Sequence, residues 1–407
     1  MRARFLKNAL ALGLLSAIGP FAIDMYLPSL PSIGGTLHAD PAAVQMTLTV
    51  FFIAVSIGQP ICGPLSDAFG RKRPLYVGLI LFALASVGCA VAPNVATLIV
   101  FRFLQGLAAC AGMVIPRAVV RDLHTGIEAT RLMSLLMLVF SISPILAPLT
   151  GSFVIQAAGW RAVFWVVMAA ALVGVAILTT VKETRPREAR VATSPVEVLA
   201  AYRRLLRDPT FLGLAFVGAF GISSFFVYLS NSPFVLIEHY HLSPRLYSVL
   251  FSTNAAAFFA AAQFNAWLAT RIGLRNLVRR AATGYAIVLL LLLTLSASGV
   301  DRLEVLVALL FMGYGFLGMV MPTSAVLALE SHGGIAGTAS ALMGTIQFAT
   351  GSLVMMLVGS FANATPLPMV AGIAVCALLA AALARATLRG EPRSGQAAVI
   401  AASDRSG

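Results

Sequence analysis

Runs of about 20 apolar residues recur along this chain from one end to the other. One such run suffices for a helix to cross a bilayer, because a helix rises about 1.5 Å per residue and the hydrocarbon layer is about 30 Å thick. A soluble core hides one or two such helices, not a dozen. Composition agrees: of 407 residues, 59% are hydrophobic and 11% charged, against about 45–50% and about 25% in soluble domains. The alternating segments of about 10 residues that a β-barrel requires are not seen. The expected fold class is all-α integral membrane.

Twelve spans are predicted, at 8–31, 44–66, 75–93, 97–120, 132–157, 160–180, 209–236, 246–269, 277–298, 303–329, 335–362 and 366–386. Charge sets their direction. Of the 28 Lys and Arg, the loops opposite the N-terminus hold only Arg161, Arg245 and Arg302, and Arg102 lies inside a span. By the positive-inside rule both termini are expected in the cytoplasm. The net charge of +13 then belongs to a cytoplasmic face beside anionic lipid and requires no nucleic acid. The basic start (Arg2, Arg4, Lys7) resembles a secretory signal, but the apolar run passes through Asp24 to Pro31 without a small-residue cleavage pattern. An uncleaved first span is therefore expected. Cys62, Cys89, Cys110 and Cys376 all fall in spans, at spacings that suit neither a disulfide framework nor a metal site.

The longest polar stretch, 182–208, divides the chain into residues 1–181 and 209–389, six spans each. In it, Ser194, Pro195 and Glu197 fit an N-cap, a first-turn proline and a capping box, so a short interfacial helix is expected over 194–207. The tail 390–407, rich in Ala, Gly, Ser and Arg, reads as disordered. "GPLSDAFGRK" (63–72) ends the second span, and "AWLATRIGLR" (266–275) ends the eighth. Leu65 matches Leu268, Gly70 matches Gly273 and Lys72 matches Arg275, all at an offset of 203. A duplicated six-helix unit is the simplest account.

Two charges stand apart. Of 15 acidic residues only Asp24 lies well inside a span, and of 28 basic residues only Arg102. A charge at a helix centre in the membrane costs at least about 2.5–3.5 kcal/mol, so each needs a partner, a cavity or a change of protonation. Counting rise per residue, both lie roughly 8–10 Å below the same surface. Matched depth allows them to share one cavity, where a change in their separation would switch a proton on and off. A static ion pair fixing the first span to the fourth is the alternative. Pro20, Pro28 and Pro31 are expected to bend or break the first span beside the acid and free carbonyls to line a cavity. Further cavity candidates are Tyr26, Gln105, Met113, Tyr228, Asn231, Asn254, Phe258 and Gln347, each also able to serve as glue between helices.

"GPLSDAFGRKRP" (63–74) is the most specific string. Gly63 would let helices approach closely, Asp67 at a helix end would face a helix N-terminus or a basic side chain, and Gly70 would permit a tight turn. Arg71, Lys72 and Arg73 would hold the loop in the cytoplasm. The string resembles the loop 2–3 signature of the major facilitator superfamily, with Ala68 where a basic residue is common. "RFLQGLAACAG" (102–112) resembles the fourth-helix motif of its drug:proton antiporters. "SPILAPLTGS" (143–152), with Pro144, Pro148 and Gly151, resembles their fifth-helix motif, with Ser143, Ala147 and Ser152 in place of glycines. "DMYLPSLP" (24–31), "RAVVRDL" (117–123) and "GWRAVF" (159–164) are similar to the Bcr/CflA drug-resistance subfamily.

The resemblance implies two pseudo-symmetric six-helix bundles in a bacterial inner membrane, exporting drugs such as phenicols as a monomer. It implies no cofactor, the energy coming from the proton gradient; the two lone charges, Asp24 and Arg102, are the expected coupling residues. Two other readings stand beside it. One is a symporter or exporter of a small metabolite on the same fold. The other is a membrane enzyme, against which the five histidines lie in loops or at span ends without metal-ligand spacing. No Walker motif is present.

Overall fold

A computed structural model describes residues 2–123, 126–185, 195–332, 335–361 and 365–388. The described residues form helices α1 (Arg2–Asp24), α2 (Leu30–Leu37), α3 (Pro41–Phe69), α4 (Lys72–Ala90), α5 (Val95–Leu123), α6 (Gly126–Ala158), α7 (Trp160–Thr180), α8 (Pro195–Leu205), α9 (Pro209–Pro233), α10 (Pro244–Gln263), α11 (Asn265–Ile272), α12 (Leu274–Ala297), α13 (Leu303–Glu330), α14 (Ala336–Gly359) and α15 (Pro366–Thr387). Among the described residues, eleven helical stretches are long and apolar enough to cross a membrane. The exception is the predicted span 246–269. It is divided into α10 and α11 at Phe264, and Ser252, Thr253, Asn254, Gln263 and Asn265 dilute its apolar character. It still packs as a span, against α6 and α13, with Asn265 Nδ2 donating to the Gly318 carbonyl at 3.2 Å.

The first span also differs from expectation. It runs on to Leu37, and Pro20 sits inside α1 without ending it. The break comes after Asp24, where a 3₁₀ turn, Leu27–Ser29, carries Pro28, and Pro31 enters the first turn of α2. Proline is tolerated at these positions because a first-turn N–H has no helical partner to lose. The helix α8 occupies the linker and packs on α14. The expected cap at Ser194 and the tail 390–407 lie outside the described residues, as does the Glu197 side chain.

Helices α1 and α3–α7 pack among themselves, as do α9, α10 and α12–α15. The two groups meet where α3 lies along α14 and α6 along α10. The duplication seen at one motif extends through the backbone. His38 and His241, 203 apart, both adopt left-handed conformations at φ 50° and 53°, and Gly70 and Gly273 both turn at φ 86° and 79°. Asp40 and Ser243, again 203 apart, cap α3 and α10, each followed by a first-turn proline.

In both halves, one helix crossing depends on a glycine. A Cβ at Gly106 would overlap the Phe51 carbonyl, and one at Gly318 would overlap the Phe258 carbonyl. Gly63, expected to admit a close approach, does not: a Cβ there would meet nothing within 4 Å, since it sits on a half-exposed stretch of α3. Gly106→Ala is therefore expected to lower stability by about 1–3 kcal/mol through overpacking, and Gly63→Ala to change it little. Melting curves of the purified variants in detergent check both.

Candidate functional site

Arg102 lies fully buried in α5. Its Nη1 donates to Gln105 Oε1 at 2.7 Å and to the Ala22 carbonyl at 3.4 Å, and its Nε donates to the Thr47 carbonyl at 3.4 Å. The guanidinium stands over the rings of Tyr26 and Phe51, 4.7 and 4.5 Å from their centroids. Gln105 passes the network to α4 by donating to Ser86 Oγ at 2.7 Å. Tyr26 shares a 2.8 Å hydrogen bond with the Thr47 hydroxyl. One charge thus ties α1, α3, α4 and α5 together, through a short charge-assisted hydrogen bond to Gln105, two longer ones to the carbonyls of α1 and α3, and a desolvated cation–π contact. Ala22 is in the last turn of α1, so the end of that helix supplies a carbonyl that Arg102 takes up.

Asp24 is the last residue of α1 and is 4% exposed. Among the described residues it has no hydrogen bond and no ion pair, so the static pair with Arg102 is absent. The reason is local. The Ala22 carbonyl of the last turn of α1 and the ring of Tyr26, beyond the break, are the groups that meet the guanidinium. Asp24 stands instead just before the turn Leu27–Ser29, which packs on α9 and α10 of the other half. It is a carboxyl at the junction of the two halves.

The junction is sealed on the face opposite the chain termini. Gln45 Nε2 donates to Asn231 Oδ1 at 3.1 Å across it. Phe52 stacks on Phe226, with centroids 4.1 Å apart and planes at 8°, and Phe348 meets both rings at 5.6 and 5.5 Å. On the second seam, Ser248 donates to the Pro148 carbonyl at 2.9 Å and Ser252 to the Ile145 carbonyl at 2.7 Å. Gln45, Phe52 and Gln59 recur every seven residues, the repeat that keeps one stripe of a helix against a crossing partner. Gln59 meets Gly344 of α14.

The candidate cavity residues divide accordingly. Tyr26 and Gln105 belong to the Arg102 network, and Gln105 has both amide groups engaged. Asn231 belongs to the seam, where it also donates to the Val227 carbonyl at 2.9 Å. Met113 packs on Gly19 of α1, where a Cβ would stand 3.4 Å away. Phe258 is half-buried, its ring edge-on to Phe259 at 5.0 Å. Gln347 is half-buried beside Gly218 of α9. Tyr228 and Asn254 come together, Asn254 Nδ2 donating to the Tyr228 hydroxyl at 2.9 Å. Gly151 of the fifth-span motif leaves no room for a Cβ against the Met25 carbonyl, next to Asp24. Sequence reasoning passed over Gln45, Phe52, Phe226 and Tyr314. Only Gln45, an amide in an apolar run, carried a signal.

The loop motif forms a charged cluster at the terminal face. Arg71 Nε pairs with Asp122 at 2.7 Å, and its Nη1 pairs with Asp67 at 2.7 Å. Arg185 reaches Asp67 at 3.0 Å. Glu183 accepts the backbone N–H groups of Arg71 and Lys72 at 2.9 and 3.1 Å, a carboxylate at a helix N-terminus. Burial works against the charge on Arg71, but the hydrogen bonds and charges of Asp122 and Asp67 outweigh it and hold its pKa above the ordinary value.

Residues 12–355 match the profile described as Major Facilitator Superfamily. The chain belongs to that superfamily. It is 38% identical over 377 residues to the uncharacterized MFS-type transporter YdgK of Bacillus subtilis, covering 92% of this chain and 93% of that protein. It is 29% identical to a bicyclomycin resistance protein homolog of Haemophilus influenzae, over 91% and 93% of the two chains. Over 58% of its length it is 32% identical to multidrug resistance protein MdtL of Escherichia fergusonii, matching 59% of that protein. Among solved structures, a D-xylose-proton symporter superposes with a TM-score of 0.73 at 18% identity, over 96% of this chain and 98% of the other. At that identity the likeness shows the fold alone. These relatives are transporters, and the membrane-enzyme reading is set aside.

Arg102→Lys keeps a charge but loses the planar donor set and the ring contacts. It is expected to lower thermal stability in detergent by about 1–3 kcal/mol. Asp24→Asn, at a carboxyl without a partner, is expected to leave stability unchanged or raise it. Equal losses in both variants would mean that the two form a structural pair.

Proposed function

We propose that this transporter is a proton-coupled antiporter that exports small amphipathic drugs such as phenicols across the bacterial inner membrane, with both termini in the cytoplasm. The observation that carries the reading is Asp24: a buried carboxyl, without hydrogen bond or ion pair among the described residues, at the junction of two bundles that must part for transport. A charge there costs at least about 2.5–3.5 kcal/mol in an apolar setting. Protonation removes that cost, and opening the junction to water reduces it. The two bundles therefore couple their motion to the proton held at Asp24. The resistance names carried by the Haemophilus and Escherichia relatives support a drug as the exchanged substrate.

In this cycle the seam of Gln45, Asn231, Phe52, Phe226 and Phe348 closes the external side. It parts to release substrate outward, when Asp24 meets the external proton pool. The neutral contacts of the seam suit this, since each is worth only about 0.5–1.5 kcal/mol.

Drug accumulation in a pump-deficient bacterium tests the reading. Cells expressing the protein are expected to accumulate less chloramphenicol or florfenicol than controls, and an uncoupler or Asp24→Asn is expected to abolish the difference. Export that survives both would remove proton coupling through Asp24. The seam has its own check. An oxidised disulfide between Gln45→Cys and Asn231→Cys is expected to stop export, and reduction to restore it.

A further inference from the structure

The two crossing glycines place the halves in register. In the N-terminal half, Gly106 sits on the Phe51 carbonyl four residues after Arg102. In the C-terminal half, Gly318 sits on the Phe258 carbonyl four residues after Tyr314. Tyr314 thus stands where Arg102 stands. The surroundings correspond. Arg102 lies over the ring of Tyr26, whose hydroxyl bonds to Thr47 of the following span. Tyr314 lies against the ring of Tyr228 with centroids 5.3 Å apart, and the Tyr228 hydroxyl bonds to Asn254 of the following span.

The difference lies in the kind of group left unmet. In the N-terminal half it is a donor, Arg102 Nη2, that has no hydrogen-bond partner among the described residues. In the C-terminal half, the Tyr314 hydroxyl and Asn254 Oδ1 have no hydrogen-bond partner among the described residues, and both side chains belong to residues only 2% exposed. Each unmet buried group costs about 1–3 kcal/mol. The walls are aromatic: Phe251 stacks on Tyr228 at 5.5 Å and 9°, and Phe225 meets Tyr314 edge-on at 5.9 Å.

We propose that this place between α9, α10 and α13 is a substrate subsite for a hydroxyl group on a ring-bearing amphiphile. The ligand O–H donates to Asn254 Oδ1, and its oxygen accepts from the Tyr314 hydroxyl. The inference rests on the exporter reading and adds a specificity element to it. A site built to hydrogen-bond a hydroxyl rejects the analogue that lacks it, because its own buried groups are then left unpaired.

Thiamphenicol and florfenicol differ at one position, where a hydroxyl in the first is a fluorine in the second. Proton-driven uptake of each into inside-out vesicles gives an apparent KM for the wild type, Asn254→Leu and Tyr314→Phe. The wild type is expected to favour thiamphenicol by about 10-fold. Both variants are expected to abolish the preference for thiamphenicol; Asn254→Leu, which also removes the donor to the Tyr228 hydroxyl, is expected to weaken both drugs in addition. Because Tyr314→Phe removes a single oxygen, its florfenicol uptake reports that the variant is folded. Equal KM values for the two drugs in the wild type, or equal losses for both drugs in the variants, would overturn the subsite and leave export standing; the two groups would then hold water only. A wild type that moves neither drug would overturn the phenicol reading and the subsite with it.

Discussion

Bringing the guanidinium of Arg102 out of water costs several kcal/mol, and the N-terminal half offsets that cost only by assembling around it. Gln105 and the carbonyls of Ala22 and Thr47 accept its hydrogen bonds, while Tyr26 and Phe51 provide the ring faces. These groups come from three helices, and Ser86 brings in a fourth through Gln105. The end of α1 belongs to the same requirement. Helix α1 stops at Asp24, a carbonyl of its last turn faces Arg102, and the ring of Tyr26 follows just beyond the break.

That arrangement leaves Asp24 without a countercharge. The acceptors of Arg102 are neutral, so the two intramembrane charges, although at one depth, serve different ends. Arg102 is enclosed by the groups it holds together. Asp24 stands at the junction, beside the turn that packs on α9 and α10 of the other half, where its environment depends on how the halves meet. The C-terminal half repeats the frame without the charge, with Tyr314 in the place of Arg102 and Asn254 beside Tyr228. Neutral amides, hydroxyls and phenyl rings close the seam, contacts that part at small individual cost.

The sequence was most legible where one physical effect dominated. Apolar length gave the spans, 246–269 included, although Asn254, Gln263 and Asn265 make that segment more polar than the others. A φ-positive turn at Gly70 and its partner Gly273 could be read because glycine there has a backbone reason. Asp24 and Arg102 stood out as the charges well inside the spans, but their separation could not be read. Matched depth says nothing of azimuth, and the break after Asp24, which brings the ring of Tyr26 to the guanidinium, left no mark that gave the direction of the acid. Gly63 was misjudged because a motif glycine need not lie at a crossing, whereas Gly106 does. Phe52, Phe226 and Phe348 gave no signal among 25 phenylalanines, since only tertiary packing separates an aromatic seam from lipid-facing rings.

The most direct test of Asp24 as the exchanging proton site is the release of protons on substrate binding. Purified protein in weakly buffered detergent at neutral pH is mixed with a transported phenicol, and a pH indicator reads the change. The account predicts proton release from the wild type, with none from Asp24→Asn at saturating drug. Equal release from both, or binding by the wild type without release, would contradict it.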